Sequence, residues 1–175
     1  MRRVSMPQIV TGPNRAALVA DGIYSTAAAE MIERARQRCL ASIFIADLLE
    51  QTQRGLGDIV DALANASWRG VDTRVILGGS RENFQIAATA VDAEAILRSE
   101  GVAVRWLLAT PQRGSHAKFL VCDELSLLGS HNWSPGSFSG AQVQDSVLID
   151  SAGMAGILQE KFEEQWRRAD RGNRV

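Results

Sequence analysis

A chain of 175 residues, 46% hydrophobic and 22% charged, has the composition of an ordinary globular protein, which excludes disordered, collagen-like and disulfide-stapled classes. A chain of this size buries about 70% of its unfolded surface, so one domain is expected over residues 1–175, its core at about 16–168 and its ends peripheral. A net charge of −1 and a pI near 6.1 create no global field towards polyanions, so any anion site must be local.

Taken in chain order, Ala16–Ala20 reads as a short strand and Asp21-Gly22 as a turn. Ala28, Met31, Ile32, Ala35 and Cys39 follow at helical spacing, which predicts a helix over Thr26–Arg38. The run Arg34, Arg36, Arg38 is then a solvated helix face. Ser42–Ala46 is an apolar run expected as a buried strand. Leu56, Ile59, Val60 and Leu63 repeat the helical pattern, with Gly70 as its stop. Arg74–Leu77 is a strand ending in Gly78-Gly79, residues 83–99 a helix and Val102–Leu107 a strand. Ala117–Cys122, Leu125–Leu128 and Val143–Ile149 are strand-like with no helix expected between them. Met154, Ile157, Leu158, Phe162 and Trp166 mark one face of a final helix. Alternation first and clustered strands later indicate an α/β layered domain with a mixed sheet.

No run of about 18 apolar residues lacks an interrupting charge, so a spanning helix is excluded. The basic start Met1-Arg2-Arg3 lacks the apolar run of a secretory signal, and a cytoplasmic location is expected. Cys39 and Cys122 lie far apart in sequence and form neither a disulfide framework nor a metal cluster; each is expected as a buried, reduced thiol.

The chemistry concentrates in Ser115-His116-Ala117-Lys118-Phe119-Leu120-Val121-Cys122-Asp123 and in Gly129-Ser130-His131-Asn132-Trp133. Lysine occurs only at positions 118 and 161, so Lys118 stands out in an arginine-rich chain. On an extended strand His116 and Lys118 share a face, which sets a nucleophile beside a cation. Asp123 falls on the other face and is expected to organise a turn or pair with an arginine. Ser130 and Asn132 share a face and can donate to phosphate oxygens, with His131 turned away. Val143, Asp145 and Val147 also share a face, so Asp145 is expected as a buried carboxylate needing a partner, with histidine the obvious one.

This order, His116-x-Lys118, four residues, Asp123, then Gly129-Ser130-x-Asn132, resembles the signature of the phospholipase D superfamily. The spacing departs in one place: five residues separate Asp123 from Gly129 where the family usually has six. The family's later acidic position is generally Glu, and Asp145 is aligned to it here. The resemblance implies an α/β/α sandwich, a mixed sheet with helices on both faces. It also implies two-step phosphodiester cleavage without metal or other cofactor, in which one histidine attacks phosphorus and a second protonates the leaving oxygen and then activates water. His116 is then nucleophile or acid, Lys118, Ser130 and Asn132 cradle the phosphate, Asp145 orients the imidazole, and Asp123 is structural. The chain has two histidines and one motif, and parity turns His131 away, so a homodimer pairing two His116 side chains is expected.

Around this centre, Arg113 in the preceding loop is a candidate for a flanking phosphate, with a solvated arginine as the alternative. Trp133 is a candidate for base stacking, with core packing or a dimer contact as the alternatives. His131 is expected to face solvent near the site, and Trp68, Trp106 and Trp166 to lie in the core. Gly78-Gly79-Ser80-Arg81 is read as a strand-to-helix turn. The expected function is a nuclease acting on DNA or RNA. The alternatives are a phospholipid phosphodiesterase, which would need an anchor or an exposed apolar patch that is not evident in the sequence, and a nucleic-acid-binding module without turnover.

Overall fold

The computed structural model describes residues 14–49, 55–79, 84–108 and 115–169. The elements run β1 (Arg15–Ala20), α1 (Ile23–Arg34), β2 (Arg38–Ile43), α2 (Leu56–Trp68), β3 (Asp72–Gly79), α3 (Phe84–Ser99), β4 (Ala103–Leu108), β5 (Lys118–Cys122), β6 (Leu125–Gly129), α4 (Pro135–Phe138), β7 (Asp145–Asp150) and α5 (Ala152–Arg168). They form one seven-stranded sheet in the order β1-β7-β6-β5-β2-β3-β4. β2, β3 and β4 run parallel, and every other neighbouring pair is antiparallel. The sheet is mixed, as expected.

Parallel neighbours require crossovers, which α2 and α3 supply. Crossovers of one hand running in one direction lay both helices on one face, where α1 joins them. Ala28 and Ile32 of α1, Ile59 and Leu63 of α2 and Ala93 and Leu97 of α3 pack there against Ala41, Val75, Val104 and Leu120 of the sheet. The opposite face is covered by α5, whose Ala155, Leu158 and Phe162 meet Leu40, Ile76, Phe119 and Val121. Ser151 starts this helix by accepting the Met154 N–H on its hydroxyl, an N-cap that the sequence pattern did not reveal. Arg74 ties α5 to β3 through Glu163 and lies over the Phe162 and Trp166 rings. Helices thus lie on both faces.

Several boundaries differ from the sequence pattern. Helix α1 spans Ile23–Arg34 rather than Thr26–Arg38, because the N–H groups of Arg36, Gln37 and Arg38 turn to the Asp123 carboxylate at 2.8, 3.0 and 3.0 Å. Arg36 and Arg38 therefore leave the helix face assigned to them, and Arg38 and Cys39 open β2. That strand ends at Ile43, and Phe44 sits at a bend beyond it. A short helix, α4, intervenes between β6 and β7 where none was expected.

Cys39 and Cys122, distant in sequence, are direct partners across β2 and β5, with sulfurs 3.6 Å apart. Both are buried free thiols, and burial together with the Cys39 neighbour pushes the Cys122 thiol well above its ordinary pKa. Trp106 is in the core, as expected, and Trp166 is half-buried, but Trp68, at the end of α2, is 80% exposed.

Helix α5 packs over β6, β5, β2 and β4. Beyond it, towards the β1 edge, the cross-strand partners Leu18 and Val147 are exposed, by 72% and 37%.

Candidate active site

β5 is a central strand, buried along its whole length. Lys118 is its first residue, so its side chain leaves the strand at one end of the sheet while its stem stays packed. Burial lowers the Lys118 pKa from the ordinary value. His116 precedes the strand and is exposed. Lys118 Nζ lies 3.2 Å from His116 Nδ1, 3.3 Å from Nε2 and 3.2 Å from the His116 carbonyl oxygen. The imidazole and the ammonium that strand spacing sets on one face therefore meet.

The opposite wall comes from the end of β6. Gly129 faces Ser146 of β7 so closely that a side chain there would run into the Asp145 carbonyl and the Ser146 backbone and hydroxyl, which only glycine avoids. The chain then presents Asn132, whose Oδ1 accepts the Ile45 N–H at 3.2 Å. An open pocket of about 550 Å³ is lined by His116, Lys118, Gly129, Ser130, Asn132, Val143 and Gln144. An imidazole, an ammonium and an amide on one pocket can attack a phosphorus centre and hold its nonbridging oxygens.

Four expectations need correction. Ser130 lines the pocket, but its hydroxyl donates to the Asp145 carbonyl at 3.2 Å and accepts the Asp145 N–H at 3.0 Å. It therefore joins β6 to β7 rather than offering its proton to a phosphate.

Asp145 is exposed and is absent from the pocket lining. The aliphatic residues that suggested burial, Val143 and Val147, are themselves 89% and 37% exposed, while the main contacts of α5 fall on β6, β5, β2 and β4. The polar residue of this segment that does line the pocket, beside Val143, is Gln144, whose Oε1 is buried without a hydrogen-bond partner among the described residues. The sequence pattern missed it because its parity places it with Ser146, the face that turns inward.

His131 does not face solvent. It is fully buried, stacks on Tyr24 with centroids 4.4 Å apart, and contacts Ser146 Oγ at 2.8 Å through Nδ1 and the Asp21 carbonyl at 3.1 Å through Nε2. A carbonyl only accepts, so Nε2 carries the proton and Nδ1 accepts from the serine. Burial lowers its pKa, against the pull of Asp21 and Asp145, and favours that neutral form.

Trp133 is fully buried, its Nε1–H directed at the Tyr24 hydroxyl at 3.3 Å, and its backbone locks onto Ile45 and Asp47. It is core rather than a stacking platform.

Asp123 stands at the far end of β5 and organises the turn into β2, as expected. Burial alone would raise its pKa, but three backbone N–H donors and the Arg38 charge outweigh that and hold it below the ordinary value. Arg113 lies outside the described residues, as do Ser80 and Arg81. Among the described residues no three of His, Cys, Asp and Glu converge as metal ligands, and no helix is long and apolar enough to cross a membrane.

Comparison with known proteins bears on the family and the fold. Residues 29–166 match the family described as cardiolipin synthase, PLD-like domain. Among solved structures, the chain is similar to Nuc from Salmonella typhimurium, a phospholipase D family member, with a TM-score of 0.72 and 19% identity over 93% of this chain and 100% of that one. NucT from Helicobacter pylori gives 0.67 and 16% over 91% and 100%. Phosphatidylserine synthase from Haemophilus influenzae Rd KW20 gives 0.62 and 14%, over 84% of this chain and 35% of that one. No curated protein sequence matches the chain.

Proposed function

The chain belongs to the phospholipase D superfamily of phosphodiesterases, and from that premise we propose that it is a nuclease whose site is completed by a second copy of itself. The observation that carries this reading is the inequality of the two histidines. His116 is open to the pocket, whereas His131 is buried with both ring nitrogens engaged. Attack on phosphorus and protonation of the leaving oxygen need two rings at once, so the second is the partner's His116.

In the first step a lone pair of His116 attacks phosphorus of the DNA or RNA backbone. The bond to the leaving oxygen breaks, and that oxygen takes a proton from the partner's His116. In the second step the partner's ring, now neutral, removes a proton from water, which attacks the phosphohistidine and frees His116. Lys118 and the Asn132 amide hold the nonbridging oxygens as charge builds on them. With a net charge of −1, substrate affinity must come from such local contacts.

Preference for nucleic acid is supported by the similarity to Nuc and NucT, which extends over the whole of those chains. The apolar residues near the pocket fit coverage by a second copy: Val143 at its rim, Ile23 at 67% exposure beside the Asp21–Gln144 backbone link, and the Leu18–Val147 pair further along. The same residues favour a second reading, a phospholipid phosphodiesterase whose rim enters a bilayer surface. Incubation with single-stranded DNA, duplex DNA, RNA and phospholipid vesicles, each with and without chelator, separates them. Cleavage of a nucleic acid in excess chelator is expected. Turnover of lipid alone would establish the second reading, and activity restored only by a divalent ion would overturn the phosphohistidine route.

A further inference from the structure

We propose that Phe44 is a positioning residue for this reaction, its ring holding the His116 imidazole and the Lys118 ammonium in their working arrangement; this rests on the assignment of His116 as nucleophile. His116 lies outside the β5 ladder and is exposed, so its ring is placed by side-chain contacts rather than by strand pairing. Among the described residues its ring meets the Lys118 ammonium and the Phe44 ring, the latter with centroids 4.6 Å apart and planes inclined by 48°. Lys118 Nζ itself lies 5.0 Å from the Phe44 centroid, within cation–π range. The three side chains thus form a closed triangle in which Phe44 meets both reacting groups.

No carboxylate bonds to His116 among the described residues, and Asp145, expected to do so, is turned outward. The orientation that an acidic partner would impose through a hydrogen bond falls to packing against an aromatic face.

The place of Phe44 is itself enforced by β3. A Cβ on Gly78 would come 2.6 Å from the Phe44 carbonyl oxygen, 2.9 Å from its Cδ2 and 3.0 Å from its Cα. The glycine at this strand end therefore has a packing reason beyond a turn into α3. Gly78 leaves the room, Phe44 fills it, and His116 and Lys118 rest on Phe44. Loss of the platform leaves the reacting groups present but misaimed, which lowers kcat without removing the phosphate contacts.

The test pairs a spectroscopic readout with kinetics on the full chain. The His116 ring protons, assigned by their loss in His116→Ala, should show a ring-current shift in the wild type. That shift should collapse in Phe44→Leu and persist in Phe44→Tyr. On whichever phosphodiester the wild type cleaves, Phe44→Leu should lower kcat by about 10- to 100-fold with KM changed by less than about twofold, and Phe44→Tyr should restore most of it. Gly78→Ala, whose Cβ would push the Phe44 backbone and with it the ring, should, in protein that remains folded, reproduce the Leu phenotype and add little to it in the double variant. His116 resonances unmoved in Phe44→Leu, or wild-type kcat in that variant, would overturn the proposal. If the wild type cleaves no phosphodiester, the nuclease reading fails on its own, while the resonance shift still decides whether Phe44 places His116.

Discussion

Asn132 Oδ1 accepts the Ile45 N–H at 3.2 Å, and that one bond decides which end of the amide meets substrate. A backbone N–H can only face oxygen, so Nδ2 is left as a donor beside His116 and Lys118. Asn132→Asp keeps an acceptor for Ile45 and replaces the donor with a negative oxygen. We expect kcat/KM to fall by about 10²- to 10³-fold, with a melting temperature close to that of the wild type. Full activity in this variant, measured by steady-state kinetics, would remove Asn132 from the phosphate contacts.

His131 and His116 should part ways under substitution. His131→Ala deletes two buried hydrogen bonds and the Tyr24 stack, and should cost about 2–4 kcal/mol of stability. Its folded pKa lies below the ordinary value of 6.5, so the unfolded chain binds a proton more readily than the folded one. The stability linked to the neutral ring is therefore present above about pH 7 and declines as pH falls below the ordinary histidine range. Denaturant titration of wild type and variant across that range checks this. His116→Ala, at an exposed ring, should leave stability unchanged and abolish turnover.

Asp123 tests the far end of the same strand. Its carboxylate gathers three N–H groups that α1 leaves open, and it is partly exposed, so Asp123→Ala should cost only about 1–3 kcal/mol. A folded pKa held below 3.8 means the stabilisation is full above about pH 5 and is lost as pH falls through the folded value. The gap between wild type and variant should narrow on acidification, and kcat per folded molecule should be unaffected at neutral pH.

The signature residues were legible because strand parity is a local rule. It sets His116 and Lys118 on one face and turns His131 away, and the structure agrees on both. Parity fails as a guide where burial depends on what covers the sheet. Asp145 looked enclosed because Val143 and Val147 flank it, yet those two are themselves exposed, and the inward residues are Gln144 and Ser146. His131 and Trp133 became core through contacts with Tyr24, about 110 residues away in the chain, which no window of sequence displays. The Cys39–Cys122 contact and the Phe44–His116 contact depend likewise on the pairing of β2 with β5. The early end of α1 followed from Asp123, whose influence on Arg36–Arg38 is also non-local.

The central claim, a site shared by two His116 side chains, is tested most directly by random pairing. Wild-type and His116→Ala chains are unfolded together in equal amounts and refolded, so that about a quarter of dimers are wild-type, half are mixed and a quarter are mutant. If each reaction needs both rings on the two-fold axis, mixed dimers are inactive, and total activity should fall to about a quarter of that of an equal amount of wild-type protein. Sites complete within single chains would leave about half, since every wild-type chain would keep working whatever its partner. A value near half, or full activity from a monomer, would contradict the shared site.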